Sequence, residues 1–439
     1  MFFSIAVLLS VIDSYYPRAG VMRVMDTAAL ACLFIVANGV IFHGRFSFRP
    51  ALILTALAVM TAASALYQYL WELPQMLQQA RQMTPPFSLG DVRIDEKNFA
   101  DFLTRIESRE IFSTFFSSNV YAGFLALSLP VTLGLMFAGL RAKTPRGFKT
   151  ATTVVLAAAA LLQAALLLLT KSKGGMAGAV LGAGLFGIIL MYRSLSRRVF
   201  ATTTLLAVLV LAAVSFAGRH RAAQFLNEAR TSLDVRLGYW RATSRVIADS
   251  PLEGFGPGNF DKFYFQKKAV DEREVKDPHN FLLLVWAESG LFALLFFAAF
   301  WGLAFAGPSL KPVTDEPPSH GVAAAVALPA AALFYMLTIH WQGGLTARGD
   351  LFPTLVILGG ALPAAAVCIV FWRHGDAFDG PLVRAGLAGG LAGFLFSCMV
   401  DVTFSDAGAA AMGVFAAAAL SPRKKTAVVK PGSAWARSL

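Results

Sequence analysis

The feature that most constrains this chain is a series of apolar runs, each near the length of a bilayer crossing. A membrane core of ~30 Å is spanned by a helix of roughly 20 apolar residues. About twelve such runs follow one another through the 439 residues. They cover residues 1–12, 24–42, 51–70, 120–140, 150–170, 174–192, 199–217, 280–301, 322–339, 351–372, 382–400 and 407–420. Because only 15% of the residues are charged, against about a quarter in soluble domains, we predict an all-α polytopic membrane protein.

The charged residues predict how these helices are oriented. The net charge is +12, which in a polar chain would suggest a nucleic-acid partner, but this chain is too apolar for one. The short connections on one side, together with the C-terminal tail, hold 17 Lys or Arg against four Asp or Glu. Cytoplasmic loops carry such an excess of basic residues. Both termini are therefore predicted to be cytoplasmic.

Two long segments then fall on the outer side, and they divide the chain into six parts. We expect helices 1–3 in residues 1–70, a first outer loop in 71–118, which is helical in its second half, and helices 4–7 in 119–217. A large, partly helical outer loop occupies residues 218–278. Helices 8–12 follow in residues 279–420, and a basic cytoplasmic tail ends the chain in 421–439.

The first candidate site is a short turn that joins helices five and six on the outer side. It places Lys171 and Lys173 beside Gly174 and Gly175. One reading is that these lysines extend along the membrane boundary to reach water. The other is a cationic clamp for an anionic group, which the glycines allow close to the backbone.

The large outer loop contains the second candidate site. Residues 222–248 read as an amphipathic helix that ends near residue 249. One stripe of this helix carries Leu226, Leu233, Leu237, Trp240 and Val246. Arg236 lies four residues before Trp240, and Arg241 lies on a neighbouring stripe. A solvated basic face is the alternative, but the guanidinium fork of these two arginines matches phosphate oxygens.

A loop rich in glycine and proline (residues 251–260) and the segment Asp277-Pro278-His279-Asn280 complete the large loop. We expect Asp277 to cap the eighth membrane helix and Pro278 to occupy its first position. His279 would then lie in the first turn, where the helix dipole would keep it neutral and able to accept a proton. Further along, Glu288 places a carboxylate within the membrane span. Such a carboxylate is either functional or paired with a structural partner.

The pattern of these residues excludes some kinds of chemistry. The sequence has no Walker A motif, and it shows no carboxylate, histidine or cysteine cluster with metal-ligand spacing. ATP hydrolysis is therefore not supported. We expect no cofactor and no metal ion.

Taken in order, the motifs resemble those of the O-antigen ligase and polymerase superfamily of bacterial envelope proteins. The matching pieces are residues 118–123 (SNVYAG), 171–175 (KSKGG), 236–240 (RLGYW), 251–260 (PLEGFGPGNF), 278–281 (PHNF) and 288–290 (ESG). The motif-level similarity covers roughly residues 118–294, and the number of spans and the large outer loop are similar too. Each motif is weak alone, whereas their order and placement are fairly specific.

The resemblance implies a GT-C-like architecture and a metal-independent glycosyl transfer at the periplasmic face of the bacterial inner membrane. The donor would be a glycan on undecaprenyl diphosphate, and a ligase would use a sugar hydroxyl of lipid A–core oligosaccharide as its acceptor. In this sequence, His279 resembles the general base. Arg236 and Arg241 would stabilise the diphosphate. Lys173 stands where the family commonly has an arginine.

The sequence also offers supporting residues for the site and leaves other functions open. Lys171 is a further donor-binding candidate, and Asn119, Asn280 and Glu288 are candidates for support. A polymerase of lipid-linked repeats, or an enzyme that transfers glycans to protein, would share the donor and differ in the acceptor. A transporter or flippase is less well supported, because charges concentrate at the outer edge and no internal symmetry is visible. Membrane lipids are expected partners, and nucleic acid is not.

Overall fold

The structure, a computed structural model, is a bundle of apolar helices with a smaller polar part above one end. It describes residues 2–12, 14, 16–37, 49–89, 92–115, 117–194, 219–269, 272, 274–306, 380–401 and 403–420. Within these ranges, seven helices are long and apolar enough to cross a membrane. The prediction of a mostly helical chain with several membrane-length helices is therefore confirmed.

Most of the predicted helices begin and end close to the expected positions, but the second begins at Pro17, seven residues before the predicted start of its span. The helices are α1 (Phe2–Leu9), α2 (Pro17–Val36), α3 (Arg49–Tyr67), α4 (Leu73–Ala80), α5 (Glu96–Glu107), α6 (Ser118–Arg141), α7 (Arg146–Leu169), α8 (Lys173–Ser194), α9 (Arg219–Asp249), α10 (Phe260–Lys267), α11 (Phe281–Ala306), α12 (Gly380–Val400) and α13 (Ala407–Leu420). A π-helical turn (Gln68–Glu72) joins α3 to α4, and a 3₁₀ turn (Thr403–Ser405) lies between α12 and α13.

Seven of the twelve predicted spans correspond to membrane-length helices: α2, α3, α6, α7, α8, α11 and α12. The first and last predicted spans are the shorter helices α1, of 8 residues, and α13, of 14. The three spans predicted over residues 199–217, 322–339 and 351–372 lie outside the described residues. The full number of spans therefore stays a prediction.

The first outer segment corrects the all-α prediction in one place. β1 (Phe87–Leu89) pairs antiparallel with β2 (Val92–Ile94), so that Phe87 lies opposite Ile94. The second half of this segment is the helix α5, as the sequence predicts. The hairpin is only three residues long on each strand, which is too short to leave an alternating pattern that can be recognised in a sequence.

The centre of the bundle consists of α6, α8 and α12. Small residues let α8 and α12 approach closely, because a Cβ atom added at Gly178 would lie 2.5 Å from the carbonyl oxygen of Gly393. Gly182 has the same relation to Gly389. A Cβ atom added at Gly184 of the same helix would meet no atom of the described residues within 4 Å.

The antiparallel helices bring several helix ends together at one end of the bundle. The first residues of α6, α8 and α11 and the last residues of α7 and α12 lie there, and we call this the upper end. Three contacts tie it together: the backbone N–H of Ile111 donates to Leu169, Gly174 packs against Val400, and Gly123 packs against Thr403. The basic turn between α6 and α7 lies at the opposite end. The upper end is therefore the one that the charge pattern predicts to face outward.

Candidate active site

The helix α9 carries an arginine to the upper end, and its contacts differ from the predicted stripe. Its buried face consists of Tyr239, Ala242, Thr243, Val246 and Ile247. This face packs on α10 and α11 in a small apolar core of its own. Leu233 and Leu237, which the sequence places on the buried stripe, are 45% and 37% exposed. The helix itself, and its end at Asp249, are as predicted.

Arg236 and Trp240, one helical turn apart, contact two different segments beside His279: Trp240 contacts Pro278, and Arg236 contacts Asp401 after α12. The indole Nε1 of Trp240 donates to the carbonyl oxygen of Pro278 at 3.0 Å. The guanidinium of Arg236 donates to Ser232 Oγ at 2.7 Å and to Asp401 Oδ2 at 3.5 Å. The predicted pairing of these residues at positions i and i+4 thus places a cation and an aromatic ring against His279 and its neighbours.

His279 lies immediately before α11, which corrects the predicted start of this helix. The helix begins at Phe281, and the Oδ1 atom of Asn280 accepts the N–H of Leu283 at 3.1 Å, so that Asn280 is the cap. Asp277 instead accepts the backbone N–H of His279 at 2.9 Å. This contact holds His279 at a φ of 49°, a left-handed conformation that is uncommon outside glycine.

Asp401 brings the histidine and the arginine together. It follows the last residue of α12, and its side chain is only 6% exposed. Its Oδ1 lies 3.3 Å from Nδ1 of His279, and its Oδ2 is the atom that Arg236 contacts. One buried carboxylate therefore joins residues from three separate parts of the chain.

The neighbouring carboxylates also raise the pKa of His279. Burial disfavours the imidazolium, and Arg236 does too, but the hydrogen bond and charge of Asp401, with the charge of Asp277, outweigh both and raise the pKa of His279. This direction is opposite to the effect expected from the helix dipole, because nearby negative charges act more strongly than a terminus that begins two residues later. Burial, which also disfavours a charged carboxylate, raises the pKa of Asp277.

The geometry lets His279 act as a base once it is neutral. A carboxylate only accepts hydrogen bonds, so the neutral ring carries its hydrogen on Nδ1, toward Asp401. The Nε2 lone pair is then available to accept a proton. A third of the side chain is exposed, so a substrate hydroxyl can approach it. Asp401 contacts the imidazole of His279 as the aspartate contacts the histidine in the catalytic triads of hydrolases.

The lysines of the α7–α8 turn lie at the same end. Lys171 is exposed at a φ of 55°, and Lys173 is the first residue of α8. Ser172 Oγ accepts the N–H of Gly175 at 3.2 Å and so caps the helix. Gly174 packs against Val400, the residue before Asp401, so the start of α8 lies beside the end of α12.

The other predicted site residues are further from the cluster. Arg241 is exposed on α9, and Asn119 lies in the first turn of α6; no polar contact joins either to His279, Arg236 or Asp401 among the described residues. Asn280 acts as the helix cap described above. The structure thus groups His279 with Arg236 and leaves Arg241 on another face of its helix.

Glu288 has a structural partner. Its buried carboxylate accepts the N–H of Phe260 at 3.3 Å, while its backbone oxygen accepts that of Gly256 at 2.8 Å. The glycine- and proline-rich loop is thereby fixed against a break in α11, where Gly290 has φ 78° and ψ 178°. Glu288 therefore orders the loop, and with it the elements on which His279 and Arg236 stand.

Asp401 is the site residue that sequence reasoning missed. The available signal was a single acidic residue directly after the predicted span 382–400, on the predicted outer side. Acidic residues are also common at the solvent-exposed ends of membrane helices. This signal alone therefore did not distinguish Asp401 from Asp406. Among the described residues, no group of three or more His, Cys, Asp or Glu side chains is arranged to hold a metal ion.

Comparison with known proteins agrees with the order of the motifs. No curated protein matches the chain. Residues 158–298, about a third of the chain, match a family model described as O-antigen ligase. The matched segment contains Arg236, His279 and Glu288, whereas Asp401 lies beyond it. Through this segment the chain is similar to the O-antigen ligase superfamily.

Proposed function

We propose that the chain is an O-antigen ligase that transfers a glycan from undecaprenyl diphosphate to a sugar hydroxyl of lipid A–core, at the periplasmic face of the bacterial inner membrane. The observation that carries this proposal is the single carboxylate, Asp401, that joins His279 and Arg236 at the upper end. In this proposal His279 is the base and Arg236 the phosphate-binding cation, and both contact the same carboxylate. This pairing is what transfer from a diphosphate-linked sugar to a hydroxyl needs.

The transfer has one displacement step. His279 Nε2 removes the proton from the acceptor hydroxyl while its oxygen attacks the anomeric carbon of the donor sugar. The bond between that carbon and the diphosphate oxygen breaks, the configuration inverts, and undecaprenyl diphosphate leaves with the electron pair. Since the donor bond is already activated, the step needs no nucleotide.

Cations around the site stabilise the leaving group. Arg236 contacts the diphosphate directly with a planar fork of donors. Lys171, Lys173 and Arg241 add positive charge at longer range, which favours binding of an anionic donor at the membrane surface. Asp401 is a positioning residue, because it orients both His279 and Arg236 and need not touch the substrate.

A reconstitution of the full chain in proteoliposomes tests the proposal. The assay supplies a lipid-linked glycan with lipid A–core in one set of vesicles and without it in another. We expect transfer of the glycan to lipid A–core. Lengthened lipid-linked chains in either set would instead identify a polymerase, and glycan on an added protein acceptor would identify a protein-directed transferase. Movement of the donor across the bilayer without transfer would overturn the proposal in favour of a flippase.

Matched variants test the assigned roles in the same assay. His279→Ala should lower the transfer rate by about 10²–10⁴-fold, the range of a positioned base. Arg236→Gln should reduce kcat/KM for the donor, with Arg230→Gln, an exposed arginine on the same helix, as its control. Full transfer by correctly inserted His279→Ala protein would exclude this residue as the base.

A further inference from the structure

A cavity of about 410 Å³ lies beside the His279–Asp401 cluster, within the size range of ligand pockets. Its walls come from α1, α2, α11, the 3₁₀ turn and α13. Phe281 and Phe404 form one wall, with ring centroids 4.7 Å apart. Phe281 is two residues beyond His279 and Phe404 three beyond Asp401, so a ligand in this cavity has its nearest end next to the cluster.

The lining of the cavity changes from polar to apolar along α2. Arg23, Asp26 and Thr27 line it near the start of this helix, and Leu30 and Leu33 line it further along. At 1.5 Å per residue, the lining on α2 extends for about 15 Å. A polar entrance followed by an apolar depth fits an amphiphile, with its head group near the cluster and its chain between the helices.

Arg23 gives the entrance a cation that contacts no described acceptor. No ion pair or hydrogen bond joins its guanidinium to a residue of the described ranges, although its charge acts on both Asp277 and Glu288. Those two carboxylates already accept backbone N–H groups, from His279 and Phe260. The donors of Arg23 are therefore available to an anion in the cavity.

We propose that this cavity binds the membrane-side end of the lipid diphosphate, with the first isoprenoid units against its apolar walls and the lipid-side phosphate on Arg23. Arg236 then contacts the sugar-side phosphate, so that the diphosphate lies between an arginine of α2 and one of α9. This assignment rests on the proposed function, because it takes its ligand from that reaction. It names a donor-binding residue, Arg23, outside the segment that matches the family model, and a chain-binding surface that lies partly outside it.

Equilibrium binding to the full chain in nanodiscs tests the chain-binding part. The probes are undecaprenyl diphosphate, farnesyl diphosphate and inorganic pyrophosphate. Ala29 lines the cavity and its neighbour Ala28 does not, and both are exposed on α2. We expect Ala29→Trp to weaken undecaprenyl diphosphate about tenfold or more and to leave pyrophosphate unchanged. Ala28→Trp should bind all probes as the unaltered chain does. Ala411→Phe, on the opposite wall, replaces Ala29→Trp if that variant does not insert.

The same measurement tests Arg23. Arg23→Gln should weaken both lipid diphosphates roughly ten- to a hundredfold, the worth of a charged hydrogen bond, and leave undecaprenol, which has no phosphate, unchanged. Arg18→Gln, an exposed arginine in the first turn of α2, is the control. Equal affinities for Ala29→Trp and Ala28→Trp, or for Arg23→Gln and Arg18→Gln, would overturn the assignment.

Binding and transfer are separate readouts, so the two proposals fail in different ways. Loss of transfer in His279→Ala with unchanged cavity binding supports both of them. Transfer that depends on His279 while cavity variants bind normally overturns the cavity assignment alone. A chain that binds the lipid diphosphate through Ala29 and Arg23 but transfers no glycan overturns the proposed function and retains the cavity.

Discussion

Asp401 lies between a histidine and an arginine, and the two contacts act on the imidazole in opposite directions. The carboxylate stabilises the imidazolium, whereas Arg236 disfavours it. The net effect is a raised pKa for His279. A base with a raised pKa is a stronger proton acceptor, but it is protonated over more of the acidic range. Activity should therefore fall as the pH decreases through this pKa.

Replacing Asp401 by Asn should change the pH profile as well as the rate. Removal of the carboxylate charge leaves burial as the main influence, which lowers the pKa of His279. The acidic limb of kcat against pH should therefore move to lower pH, while the rate at its plateau falls about 10²–10⁴-fold because the ring loses its orientation. A pH series of the transfer assay measures both effects.

Asp406→Asn is the matched control, since Asp406 accepts the N–H of Ala409 at the start of α13 and Asn preserves such a cap. Its pH profile should equal that of the unaltered chain. An acidic limb that stays in place in Asp401→Asn would contradict the role of Asp401.

The stability of the fold should depend on pH in the opposite direction to activity. The raised pKa stabilises the fold at pH values below the ordinary pKa of histidine, and this contribution is lost as pH rises through the raised value.

At the scale of elements, the loop of residues 251–260 completes a broken helix. The break at Gly290 frees the carbonyl oxygens of Ala287 and Glu288, which accept the N–H groups of Phe255 and Gly256 at 3.0 and 2.8 Å. In the other direction, the carbonyl oxygen of Pro251 in the loop accepts the N–H of Leu291 in the helix at 3.1 Å. Backbone groups in a membrane helix need such partners, so loop and helix stabilise each other.

Gly290→Ala should destabilise this junction. A Cβ atom there would lie 2.8 Å from the carbonyl carbon of Glu253, and the positive φ is unfavourable for alanine. We expect a loss of about 1–3 kcal/mol, measured by thermal unfolding in detergent. A Cβ atom added at Gly302, in the same helix, would meet no atom of the described residues within 4 Å. Gly302→Ala should therefore be neutral or slightly stabilising. Equal stability of the two variants would contradict the role of the break.

At the scale of the whole molecule, the site depends on helices that run in opposite directions. α6 begins at the upper end and α7 ends there, while the turn between them, with Lys143, lies at the other end. α7 has 24 residues, which is about 36 Å of helix and enough to cross a bilayer. Lys171 and Lys143 should therefore lie on opposite faces of the membrane.

Cysteine labelling measures this orientation in intact cells. Cys32 is exposed and Cys398 buried, so the probes are placed in a chain whose three cysteines are replaced by serine or alanine. Lys171→Cys should react with a membrane-impermeant maleimide from outside, and Lys143→Cys only after permeabilisation. The reverse pattern, or labelling of both from one side, would contradict the predicted topology and the outward-facing site.

Sequence reasoning works best where the determining interaction is local. The bounds of α7 and α12 follow from apolar length, and α9 ends where predicted, before a proline. It fails where the outcome depends on distant partners. Asp277 is an acceptable cap by residue type, but Asn280 holds that position. The buried face of α9 depends on Tyr264 and Leu284, which belong to other helices.

The sequence by itself determined the apolar helical class, the seven membrane-length helices of the described ranges, and the candidates His279 and Arg236, because hydropathy, charge bias and motif order are properties of short segments. The tertiary structure alone decided that Asp401 joins them, that Glu288 anchors a loop, and that Arg23 faces a cavity. These facts depend on residues that are distant in sequence: Glu288 and Phe260 are 28 residues apart, and His279 and Asp401 are 122 apart. Only the packing of helices α9, α11 and α12 brings such residues within hydrogen-bond distance.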